Sequence, residues 1–98
     1  MAIVHYSPLA EIDLDSIAGF TKTKWGVRQA SVYINRLVAE CERLGGNPSL
    51  GRRYGNLMPE MRRMECGSHV IYYESSEGGI LVGRILHKRM LPKRHGVR

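Results

Sequence analysis

The chain has 98 residues, 43% of them hydrophobic, which is material for one core, so residues 1–98 are read as a single domain. No stretch approaches the ~18 apolar residues of a membrane-spanning helix, so no membrane partner is expected. Fifteen Lys plus Arg against nine Asp plus Glu leave a net charge of +6, and a surface this basic implies an acidic partner.

Residues 2 to 6 alternate and carry β-branched and aromatic side chains, which predicts a short opening strand. Ser7-Pro8 then predicts a helix start, because Ser7 can cap a backbone N–H and Pro8 suits the first helical position. Glu11, Asp13 and Asp15 lie near the positive end of that helix's dipole, and Ala10, Leu14, Ile17 and Thr21 form its buried stripe to about Lys24. Trp25-Gly26 reads as a break. From Val27 a second helix buries Ala30, Ile34, Leu37, Cys41 and Leu44, spaced four, three, four and three apart. Gly45-Gly46 followed by Asn47-Pro48 predicts a left-handed cap and a stop.

Residues 47 to 60, with Gly51, Gly55 and two prolines, read as a loop. Three strands follow, over Met61 to Cys66, His69 to Glu74 and Ile80 to His87, joined by short turns at Gly67-Ser68 and Glu77-Gly78-Gly79. The expected fold is α+β in the order β-α-α-β-β-β, a helical hairpin packed on a small, mainly antiparallel sheet. After Glu77 no acidic residue occurs, while Arg84, Lys88, Arg89, Lys93, Arg94 and Arg98 do, so residues from about 90 to 98 are expected to form a basic, flexible tail.

No metal or cofactor is expected. His5, His69, His87, His95, Cys41 and Cys66 fit no compact ligand spacing, and the glycine pairs lack the lysine and hydroxyl of a phosphate loop. Both cysteines read as small core residues, and the absence of a basic segment followed by an apolar one at the amino end makes the cytoplasm the expected location.

Taken together, Tyr6-Ser7-Pro8, Asp13-Leu14, Trp25-Gly26, Tyr33, Leu37 and Leu57-Met58-Pro59-Glu60-Met61-Arg62 follow a known order. Cys66, His69-Val70-Ile71-Tyr72-Tyr73 and Gly83-Arg84-Ile85-Leu86-His87-Lys88-Arg89-Met90 complete it. In that order the chain resembles the ParE toxins of the RelE/ParE group over nearly its whole length. Glu60 stands where glycine is common in that family, and Leu91-Pro92 where an acidic residue often follows the methionine.

The resemblance implies a non-enzymatic toxin of a type II toxin–antitoxin system, which inhibits DNA gyrase and is silenced by a ParD-like antitoxin in a hetero-oligomer. A groove between hairpin and sheet would hold the antitoxin's folding tail. Arg62, Tyr73, Arg84 and Arg89 are the expected antitoxin contacts, since an arginine fork fits carboxylate oxygens. Lys88, Arg89, Lys93 and Arg94 are the expected target contacts. The alternative is a RelE-like, ribosome-dependent mRNA endonuclease, in which Arg62, Arg84, His87 and Arg89 would supply proton transfer and charge stabilisation. No tyrosine follows Tyr73, which weighs against that alternative.

Overall fold

A computed structural model describes residues 2–54 and 60–90 of the chain. Strand β1 (Ile3–Tyr6) leads into helices α1 (Pro8–Trp25) and α2 (Val27–Gly46), a 3-10 turn (Pro48–Leu50), and strands β2 (Arg52–Arg53), β3 (Met61–Cys66), β4 (His69–Ser76) and β5 (Gly79–His87). The five strands form one sheet in the order β1-β5-β4-β3-β2. β1 runs parallel to β5 and every other pairing is antiparallel. The α+β architecture expected from the sequence is therefore present, with an extra edge strand. Two residues are too few to carry a readable alternation, which is why β2 reads as loop.

Local chemistry accounts for the boundaries. Ser7 caps α1 by accepting from the Ala10 N–H at 3.0 Å, and Pro8 occupies the first turn. Gly26 ends α1 at φ +94°, a left-handed value that strains a residue bearing a Cβ, and α2 starts at the next residue. The cap expected at Gly45-Gly46 is different: both glycines lie inside α2, and Asn47 closes the helix by donating to the Arg43 and Leu44 carbonyls. Gly45 is there for close packing, because a Cβ would sit 2.9 Å from Val4 Cγ2.

The main core lies between the helices and one face of the sheet. Ala10, Ile17, Leu37, Cys41, Leu44, Ile71, Tyr73, Ile80, Val82 and Ile85 are buried there, with Leu14 and Ile34 packed against them partly exposed. A second cluster, Met61, Val70, Tyr72 and Leu86 with Tyr54 against it, is also buried. Burying each such aliphatic side chain contributes roughly 1.5–3 kcal/mol. Among the described residues no helix is long and apolar enough to cross a membrane.

Candidate functional site

β1 pairs with β5 only as far as Tyr6 opposite Val82, so the remainder of β5 has an edge that the start of α1 must cover. Ser7 Oγ donates to the Gly83 carbonyl at 2.7 Å. Almost two turns further on, the Asp13 carboxylate accepts from the Ile85 backbone N–H at 2.9 Å and from Arg84 Nε and Nη2 at 2.8 and 2.9 Å. The bidentate pair is nearly out of water, with both side chains 11% exposed. Pairing of Tyr72 with Arg84 and of Tyr73 with Val82 skips Gly83, and this bulge sets where Arg84 leaves the strand. The Asp13 carboxylate also pushes the Arg84 guanidinium further up from its ordinary value.

Two of the expected contact residues are thus interior. Arg84 spends its fork on Asp13, so that fork does not present itself to a partner's carboxylates. Tyr73 is fully buried, where its hydroxyl donates to Pro48 O at 2.7 Å and accepts from Gly51 N–H at 2.8 Å. Its role is to hold the segment between α2 and β2 against the sheet. Arg62 works alongside it, donating from Nη1 to the Gly51 carbonyl at 2.7 Å while remaining partly exposed.

Two further expected contact residues, Lys88 and Arg89, are exposed at the opposite end of the sheet. His87, Lys88 and Arg89 follow the last buried residue of β5, Leu86. Lys88 Nζ lies 3.7 Å from Glu65, and its backbone N–H donates to Ser68 O. Lys93 and Arg94 lie outside the described residues, as does most of the expected tail.

The nuclease set is not assembled. Arg62 is level with Tyr73 and Val82, whereas His87 lies five residues further along β5, about 17 Å away at ~3.3 Å per residue. Arg84, between them, is neutralised by Asp13. A 2′-hydroxyl, its phosphate and the leaving oxygen need their partners within hydrogen-bond reach of one another.

Above His87, the tip of the helix hairpin overhangs the sheet and leaves an open cleft of about 480 Å³. Phe20, Lys24 and Trp25 contribute from α1, Tyr33 from α2, and His69 and His87 from the facing strands. Phe20 and Trp25 are 66% and 63% exposed, unusual for large aromatics on a small surface, and Lys24 Nζ stands 5.7 and 5.6 Å from their rings. His69 and His87 are cross-strand partners with rings edge-on at 5.5 Å. Tyr33 reaches down from α2, its oxygen 2.6 Å from His69 Nδ1 and accepting from Ser68 N–H at 3.0 Å. Burial and the neighbouring His87 hold His69 below the ordinary imidazole value.

The sequence singles out His87 and places Asp13 beside a helix dipole, but it gives no role to Lys24, Tyr33 or His69. Asp13 and Tyr33 belong to the pattern shared with the ParE toxins. Their partners lie 71 and 36 residues away, however, and no local spacing reports that.

A family model described as the ParE toxin of type II toxin-antitoxin system, parDE, matches residues 4–92. A protein named Toxin ParE1 from Mycobacterium tuberculosis (strain CDC 1551 / Oshkosh) is 39% identical over 85 residues, covering 86% of this chain and 87% of the relative. Toxin ParE1 from Caulobacter vibrioides is 35% identical over 86 residues, 88% of each chain. Among solved structures, a chain of the chromosomal ParDE TA system from P. aeruginosa superposes with a TM-score of 0.74 at 21% identity, covering 89% of this chain and 96% of that one, a likeness of fold.

Proposed function

This chain belongs to the ParE toxin family of type II parDE toxin–antitoxin systems, and from that membership we propose that it arrests growth in the cytoplasm by binding DNA gyrase, and that a ParD-like antitoxin silences it. The observation that carries this reading is the family match across residues 4–92. The geometry is in keeping with a binding protein, because the buried Asp13–Arg84 ion pair is structural while Lys88 and Arg89 are exposed.

The whole chain acts as a single toxin domain in this reading. Arg62 and Arg89 contact the antitoxin, while Lys88 and Arg89, together with Lys93 and Arg94, contact the target. Tyr73 and Arg84 are omitted because their polar groups are engaged inside the fold. Solvated charges of this kind steer encounter and set partner choice more than they add affinity.

Purified toxin is expected to block supercoiling by gyrase, or to trap cleaved DNA, and stoichiometric antitoxin is expected to restore activity. Gyrase unaffected by excess toxin, or translated messenger RNA cut by the toxin, would overturn the assignment.

A further inference from the structure

Resting on the antitoxin partnership proposed above, we infer that the cleft beneath the hairpin tip is a carboxylate-binding subsite. It takes one acidic side chain of the antitoxin between Lys24 and the paired imidazoles of His69 and His87, with Phe20 and Trp25 walling the apolar stem.

The tautomer of His87 follows from its hydrogen bond. His87 Nδ1 lies 3.2 Å from the Arg89 backbone N–H, which can only donate, so Nδ1 is the acceptor and the neutral ring carries its proton on Nε2. The Tyr33 hydroxyl has one proton and two acceptors within reach, His69 Nδ1 at 2.6 Å and Cys66 O at 3.4 Å. These contacts, with the Ser68 N–H donating to the same hydroxyl, anchor the His69 ring beside His87 on the floor of the cleft.

Two consequences decide the ligand. A metal-bound imidazole donates from its second nitrogen, and here the second nitrogen of His87 is an acceptor, which sets the pair against metal binding. His87 presents an N–H donor, and among the described residues the cleft is lined by an ammonium, Lys24, and by no Asp or Glu. The nearest buried carboxylate, Asp13, is spent on Arg84 and Ile85. An anion therefore meets donors and an ammonium, while the exposed aromatic walls favour a peptide side chain over a bare ion. The chain's net charge of +6 supports an acidic occupant.

The test uses full-length toxin and its cognate antitoxin in calorimetric titrations, with Lys24→Gln and His87→Gln, both at exposed positions. Each variant is expected to keep the wild-type circular dichroism and melting midpoint and to bind antitoxin about tenfold more weakly. Neutralising one particular antitoxin Asp or Glu should remove the difference between variant and wild type, as a direct pair requires. Imidazole nitrogen NMR should show His87 protonated on Nε2, with the signals of both imidazoles shifting when antitoxin binds.

Wild-type and variant affinities within twofold of each other would overturn the subsite while leaving the partnership intact. So would histidine signals that respond to a single-stranded oligonucleotide and not to antitoxin. Absence of any wild-type complex would overturn the partnership, and the subsite with it.

Discussion

Single side chains carry most of what distinguishes this fold from a generic helix-on-sheet domain, and Asp13 is the foremost. It replaces a missing strand neighbour for Ile85 and fixes Arg84 in one geometry. Asp13→Ala would leave a buried guanidinium without its partner, and a loss of about 3–5 kcal/mol in urea-derived stability is expected. That is a large share of the 5–15 kcal/mol typical of a domain. Replacing both partners with apolar residues, Asp13→Leu with Arg84→Met, should recover much of the loss; a double variant as unstable as the single one would refute a pairwise role.

His69 makes a separate prediction through pH. Its proton affinity is lowered in the folded state, so the unfolded chain binds protons more readily and acid favours unfolding. Its contribution is full above the unfolded value of about 6.5 and is lost as pH falls through the lower folded value. Urea midpoints followed from about pH 7.5 to about pH 5 should decline, and less steeply in His69→Gln.

Elements join through a few close approaches. β1 is held to β5 by four parallel pairs, and Gly79 faces Ile3 there so closely that a Cβ would overlap the Ile3 carbonyl. Gly79→Ala is expected to pry β1 from the sheet at a cost of at least ~1–3 kcal/mol, with faster amide exchange confined first to β1. Ser7→Ala removes both the helix cap and the bond to Gly83, and should cost about 0.5–2 kcal/mol in thermal or urea unfolding.

The bounds of α1, α2 and β3 were legible because Ser7-Pro8, Gly26 and the apolar spacing are local signals. The reason for Gly45 was not, since its neighbour Val4 lies 41 residues earlier in the chain. β2 escaped because its two arginines are defined only by partners on β3, Arg63 and Arg62.

At the scale of the molecule, one side is stapled and the other is open. Ligand linkage then gives a whole-chain test: antitoxin at a hundred times its Kd should stabilise the toxin by about 2.7 kcal/mol. In a chain of this size that raises the melting midpoint by on the order of 10 °C, and an unshifted midpoint in excess antitoxin would contradict the partnership.

The sequence by itself determined the order of the two helices and the strands other than β2, the two helical stripes, the basic carboxyl-terminal run and, through ordered motifs, the family. These depend on neighbours within a few residues or on composition. Tertiary structure alone decided which basic residues are surface and which are spent. It drew Arg84 onto Asp13 and buried the Tyr73 hydroxyl, and it set His69, His87 and Tyr33 around one cleft. Burial and pairing are properties of chain segments brought together from far apart, and side-chain identity at a single position carries no record of which distant group will neutralise it.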